Sequence, residues 1–550
     1  MATPIGGGES FPGCGLSLPQ LLHAAKTKLL DSTCRGRVTT TMIQPEVDAL
    51  EQDTLTVLGL VRSMKNSFMP VSRIPGVILS LIPKYLEHQT TATNKDLITL
   101  THVCRAWREL FISLPSLWTR LDFKDVEKTR TYLKRSGTLP LELVVHGSHV
   151  ESYSEDAFFL AVPHRRRFKS LTIGRTSDFV GNLVNHLTFP APSLKELRIS
   201  FACDPAPVLD DTLFNGDLSS LRTLGLGGVV TNLPWRNLWN LTTFELRCPT
   251  DSRVTIARFL GFLEGAPRLK DITLHHSIPS SSNASSSRVV YLPYLKNLTI
   301  CSNLAHATLL NHLSIPTEAS LTLNFKFRGD RSPLPDYLPK SSKNLRNIFR
   351  ITTVNLLFEE KQKFMRLVGP SGSLYIYGRW EPEALMIHWL TLDHRILRSL
   401  DYFPLHMTHS LTITKYRVPT MIPDFDKPPH QNLFRAMELK TLVLIQCHNL
   451  SFILALNPKR NSSKDVLCPN LEELTLYVEV RNEFHILELM EMAKERASRG
   501  AKLRSVTVVG LGELVSGKEV FKLREHVTHV EYRFEESAPE WDSIFDDEAN

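Results

Sequence analysis

The stretch Leu194-Lys195-Glu196-Leu197-Arg198-Ile199 sets Leu197 and Ile199 two residues apart, the alternation of a strand with one buried face. Its wording, L-x-x-L-x-L, returns at Leu221, Leu241, Leu269 and Leu295, and again at Leu439, Leu471 and Leu503. The steps are 27, 20, 28 and 26 residues in the first group, then 32 and 32 in the second. Self-similarity at such a period is the signature of a solenoid, in which each unit buries its apolar face only by stacking on its neighbours.

Segments between the echoes read as helices, for example residues 254–264 and 485–498, so each repeat is expected to supply one strand and one helix. Prolines such as Pro192 and Pro469 stand just before the leucines, where they end a helix and feed an extended segment. Residues 139–145 and 527–534 are the expected first and last strands. Between 301 and 438 the template weakens to Leu321-Thr322-Leu323, Leu374-Tyr375-Ile376 and Leu411-Thr412-Ile413, which read as degenerate repeats with longer connections. The serine-rich loop 277–287 is expected to be mobile.

Upstream, residues 98–121 read ITLTHVCRAWRELFISLPSLWTRL. Leu97, Leu100, Cys104, Trp107 and Phe111 recur at three- and four-residue steps, which predicts one face of a helix, and Val103, Ala106, Leu110 and Leu114 widen the stripe. An ordinary core helix accounts for this periodicity as well as a docking surface does. A further row, Val47, Leu50, Thr54, Val57, Val61, Met64 and Phe68, predicts a helix over 44–68 that packs against the next domain rather than forming a dimer.

The residues Val103-Cys104-Arg105-Ala106-Trp107-Arg108-Glu109-Leu110, with Leu114-Pro115-Ser116-Leu117-Trp118 after them, resemble the second half of an F-box of the kind abundant in mushroom-forming (basidiomycete) fungi. Met69-Pro70-Val71-Ser72-Arg73-Ile74-Pro75-Gly76-Val77-Ile78-Leu79-Ser80 resembles its opening. Val77 stands where the family usually has an acid, and Pro83, which lacks an amide donor, predicts an end to the first helix near Ile82. The resemblance implies docking on a Skp-type adaptor, and through it a cullin, by Pro75, Ile78, Leu79, Ile82, Leu100, Val103, Cys104 and Trp107. Trp107 and Cys104 are expected on the adaptor side, and Ala106 and Leu110 inward.

The downstream pattern resembles the leucine-rich repeats that many F-box proteins carry, which implies capture of a protein substrate by outward strand positions. Lys195, Arg198, Arg222, Glu245, Arg247, Lys270, Thr273, Lys296 and Thr299 are candidates. Bases predominate among them, which suits an acidic or phosphorylated target and equally suits a solvated face. The expected architecture is α/β: an N-terminal disordered segment 1–43, an amphipathic helix 44–68, an all-helical F-box domain 69–122, an irregular leucine-rich-repeat solenoid 139–534 and an acidic tail 535–550. The expected function is a substrate-receptor subunit of a cullin-type (SCF) ubiquitin ligase; the alternative is a repeat scaffold with a vestigial F-box.

Composition narrows the remaining classes. With 550 residues, 42% apolar and 22% charged, the chain has the makeup of a globular protein larger than one domain. The formal charge of +7 conceals an acidic end, in which residues 534–550 carry seven acids and no base. Eight cysteines lie scattered without a C-x-x-C pair, against both a structural zinc site and a disulfide framework. No P-loop, H-E-x-x-H helix or G-x-S-x-G elbow occurs, so no enzyme activity, metal or cofactor is expected. The basic run His164-Arg165-Arg166-Arg167-Phe168-Lys169 reads as a solvated edge before a nucleic-acid site. No apolar run is long enough to span a membrane and the start lacks a signal-like segment, so cytoplasm or nucleus is the expected compartment.

Overall fold

The computed structural model describes residues 40–82, 94–146, 154–176, 186–201, 212–231, 237–247, 255–275, 288–302, 306–327, 344–359, 362–380, 400–416, 438–460, 466–478, 485–511 and 520–539, with short pieces at 20, 23–24, 26–27, 31, 183–184, 207–209, 338–339, 397 and 434. The loop 277–287, residues 540–550 of the acidic tail and most of the segment 1–43 lie outside them. The chain divides into two compact units, residues 1–120 with 130–139 and residues 121–129 with 140–550.

In the second unit the echoes become rungs of one sheet, seventeen-stranded among the described residues. Leu141–His146, Phe168–Thr176, Glu196–Phe201, Thr223–Gly227, Thr243–Arg247, Asp271–His275, Asn297–Ser302 and Ser320–Phe327 lie side by side, parallel and in chain order. Register follows the leucines: Leu197 pairs with Leu224, Leu224 with Phe244, Phe244 with Ile272, Ile272 with Leu298 and Leu298 with Leu321. A second buried row runs beside it through Ile199, Leu226, Leu246, Leu274, Ile300 and Leu323. Each such side chain contributes about 1.5–3 kcal/mol through burial, and a rung's leucines are buried only because the neighbouring rungs cover them. The expected helices are present at Ile256–Gly265 and Ile486–Ser498. The first packs Phe262 on Phe244 of the adjacent strand, with ring centroids 4.5 Å apart.

The middle of the sheet departs from a simple stack. The three weakened motifs do form strands, Ser320–Phe327, Ser373–Trp380 and Ser410–Thr414, but two more lie between them at Thr353–Phe358 and Gln362–Val368. Ser320–Phe327 pairs in parallel with Ser373–Trp380, which pairs antiparallel with Gln362–Val368, which pairs antiparallel with Thr353–Phe358. Thr353–Phe358 then pairs in parallel with Ser410–Thr414, and the simple order resumes through Thr441–Ile445, Glu473–Val478, Ser505–Leu511 and His529–Glu535. The cause of the reversal is local. Gly369-Pro370-Ser371-Gly372 closes a hairpin in which the Gly369 amide donates to the Gly372 carbonyl at 2.8 Å.

A buried arginine ties one late repeat to the next. Arg496 donates through Nη1 to the Leu467 carbonyl and through Nη2 to the Cys468 carbonyl, each at 2.7 Å. Burial pushes this guanidinium down to about 10 and pushes the Cys468 thiol up to about 12, so Cys468 stays a neutral thiol near pH 7.

In the first unit, a helix at Thr40–Ser67 leads to short helical turns at Pro70–Arg73 and Gly76–Leu79. Val47, Thr54 and Met64 of its apolar row are exposed and Val57 and Val61 only half-buried, which corrects the expected packing of this row. The physical reason is that Leu55 and Leu58, also exposed, spread the apolar residues around the helix instead of gathering them on one face.

Space around two glycines separates turn geometry from helix propensity. A Cβ on Gly372 would lie 2.3 Å from the Thr317 carbonyl oxygen, whereas one on Gly265, the last residue of its helix, would meet nothing within 4 Å. Gly372→Ala is therefore expected to lower stability by about 2–3 kcal/mol, and Gly265→Ala to leave it unchanged or raise it by about 0.5 kcal/mol. Urea unfolding of the two variants checks both.

Candidate functional site: the helical unit

The stripe expected as one helix is two, Asn94–Thr101 and Arg105–Ile112. The chain leaves the first at His102 and turns through Cys104, which is fully extended (φ −158°) and begins the second. Arg108 holds the corner by donating from Nε to the Thr101 carbonyl at 3.0 Å. A side chain now satisfies a helix end that one continuous helix would have satisfied internally.

Breaking the helix reorients its residues. Trp107 is 9% exposed and packs edge-on against the fully buried Phe111, with centroids 5.6 Å apart. The Pro115–Trp118 turn buries Leu117 and Trp118, and the Trp118 indole N–H donates to the Phe111 carbonyl at 3.1 Å. Trp118 in turn meets Tyr132 edge-on at 5.0 Å and carries the Arg135 guanidinium 4.4 Å above its ring. Trp107 therefore belongs to this unit's own core. Ala106, expected inward, is exposed, and Leu110 is half-buried.

The expected adaptor residues separate into three layers. Pro75 is exposed, as are Ile78 (54%) and Val103 (52%). Ile82, Leu100 and Cys104 are half-buried, and Leu79 and Trp107 are buried. Val77, which sequence reasoning treated only as a departure, is the most exposed of the neighbouring apolar residues at 78%, and Leu81 is also exposed. The first helical turn lies against the second helix, where a Cβ on Gly76 would make an ordinary van der Waals contact with Leu110 at 3.6 Å.

No helix among the described residues is long and apolar enough to cross a membrane, and among them no group of three or more His, Cys, Asp or Glu is placed to hold a metal ion. The helical unit exposes the apolar side chains Val77, Ile78, Leu81 and Val103, and its second helix carries the exposed Arg105–Glu109 ion pair at 2.9 Å.

Truncating Trp107 removes a core side chain. Trp107→Ala is expected to destabilise the helical unit by about 3–5 kcal/mol, read as loss of helical circular dichroism at a lower temperature than in the parent chain. Val103→Asp should leave that transition in place.

Residues 71–124 match the F-box-like family model. No curated protein matches the chain. Among solved structures, the chain is similar to one described as "Crystal structure of TLR13-ssRNA13 complex", with 14% identity and a TM-score of 0.26, over 74% of this chain and 54% of that one. It thus spans about half the length of that chain. The fold reading rests on the strand register above. The protein carries an F-box-like helical segment at residues 71–124, followed by a long parallel-strand repeat unit.

Proposed function

We propose that this chain is the substrate-receptor subunit of a cullin-type (SCF) ubiquitin ligase, docking on a Skp-type adaptor through residues 71–124 and holding a protein substrate on the repeat sheet. The observation that carries the reading is the apolar surface of the F-box-like segment, where Pro75, Val77, Ile78, Leu81 and Val103 are exposed with no partner layer of this unit over them. Adaptor contacts then fall on these residues, with Ile82, Leu100 and Cys104 at their margin. Leu79 and Trp107 support the surface from beneath. The receptor performs no chemistry; it places a bound protein near the transferring partners, which raises the effective concentration of the reacting groups.

The alternative, a repeat scaffold with a vestigial F-box, draws on Val77 occupying the position where the family usually carries an acid. Capture of the full chain by a purified Skp-type adaptor separates the two readings. The chain is expected to be retained, and Ile78→Asp combined with Val103→Asp is expected to weaken retention by about 2–4 kcal/mol with an unchanged melting temperature. An adaptor that fails to retain the folded parent chain would establish the scaffold reading.

A further inference from the structure

The backbone ladder of the repeat unit begins one residue before its strands. The Lys195 amide donates to the Lys169 carbonyl, Arg222 to Lys195, Thr242 to Arg222, Lys270 to Thr242 and Lys296 to Lys270, all at 2.7–2.8 Å. Lys169, Lys195, Arg222, Thr242, Lys270 and Lys296 therefore occupy equivalent positions on adjacent rungs, along the edge where the strands start. The five bases are exposed. Lys169 is paired with Glu142 at 2.8 Å, but Lys195, Arg222, Lys270 and Lys296 make no side-chain ion pair or hydrogen bond among the described residues. The nearby acids are engaged elsewhere: Glu196 accepts from Arg198 at 2.7 Å and Asp271 from Asn297 at 2.7 Å.

Like charges on neighbouring rungs, about 4.8 Å apart, repel and lower the stability of a sheet. The late repeats avoid this at the same position. Lys440, Glu472 and Arg504 alternate in sign along their own ladder, and Arg504 lies 3.8 Å from Glu472. The early repeats instead hold two like-charged pairs, Lys195 with Arg222 and Lys270 with Lys296, separated by the uncharged rung of Thr242. An anionic ligand laid along the edge relieves the repulsion that the sheet itself leaves uncompensated.

We infer that this edge binds an extended acidic segment of a partner protein. The inference deepens the receptor reading by giving its substrate a chemical class. The pair centres are roughly 14 Å apart, three rung spacings, which matches acidic side chains four positions apart in an extended chain rising about 3.4 Å per residue. The carboxylates Glu196 and Asp271 adjoin the row one position further along their strands, and they disfavour a continuous phosphodiester backbone spread across the sheet. A peptide carrying spaced acids meets the two pairs of bases, while Glu196 and Asp271 are held by Arg198 and Asn297.

The test uses the full chain and a short capped glycine–serine peptide bearing two Asp-Glu pairs centred four positions apart, followed by fluorescence anisotropy at low salt. A lysine counterpart of the peptide and a single-stranded oligothymidylate serve as competing probes. The acidic peptide is expected to bind and the lysine peptide not to bind. The combined Lys195→Glu, Arg222→Glu, Lys270→Glu and Lys296→Glu variant should weaken binding by about tenfold or more, and Lys270→Gln with Lys296→Gln by less but in the same direction, with a melting temperature no lower than the parent's. Lys169→Glu, whose parent base is already paired, should matter less than any of the four. Unchanged affinity in both variants overturns the inference, as does tighter binding of the oligothymidylate through the same residues. Adaptor capture measured on the same preparations tells the two readings apart. Retention on the adaptor without peptide binding defeats the acidic-segment inference alone, whereas peptide binding without retention defeats only the ligase reading.

Discussion

The in-register parallel ladder is the constraint on which the rest of this structure depends. Leu197 and Ile199 can be buried only if the strand before and the strand after present leucine-like residues at the same height, as Leu171 with Ile173 and Leu224 with Leu226 do. A slip of one residue would turn every buried side chain to the open face and bring Arg198 and Glu245 inward, which fixes the register strongly. The same ladder fixes what the open face displays. Arg198 reaches Glu245 at 3.2 Å across the rung of Thr223–Gly227, and Glu245 also pairs with Arg247 of its own strand at 2.5 Å.

A ladder of this kind tolerates irregularity as long as each rung keeps its apolar heights. The reversed segment shows how. Val354 and Leu356 stand opposite Leu367 and Met365 on the antiparallel side and opposite Leu411 and Ile413 on the parallel side, so both buried rows continue through the change of direction. Arg496 illustrates another compromise. A buried guanidinium without a carboxylate is costly, and here two backbone carbonyls, both at a bend where Cys468 adopts positive φ (48°), meet part of its donor capacity.

The helical unit solves a different problem. With few residues it builds a core from Trp107, Phe111, Leu117 and Trp118, locks Trp118 with an indole-to-carbonyl hydrogen bond and leaves Val77, Ile78 and Val103 uncovered. Large aromatic residues lie inside this unit and aliphatic residues outside. Trp107 is part of that core, packed edge-on against Phe111.

The sequence by itself determined the repeat unit wherever L-x-x-L-x-L survives, because a two-residue apolar alternation recurring at a nearly constant step has one inexpensive burial, the stacked parallel sheet. It also pointed to the F-box-like segment, whose Pro115-Ser116-Leu117-Trp118 turn is a local signal. Only the tertiary structure decided the strand order between 320 and 414, because Thr353–Phe358 (TVNLLF) and Gln362–Val368 (QKFMRLV) lack the L-x-x-L-x-L wording, and apolar alternation carries no information about the direction in which a strand runs. The GPSG turn was the one available signal of that reversal. Only the tertiary structure, too, placed Trp107 inside and Ala106 outside. Helical periodicity assumes an unbroken helix, and the corner at Cys104 resets the phase of every residue after it.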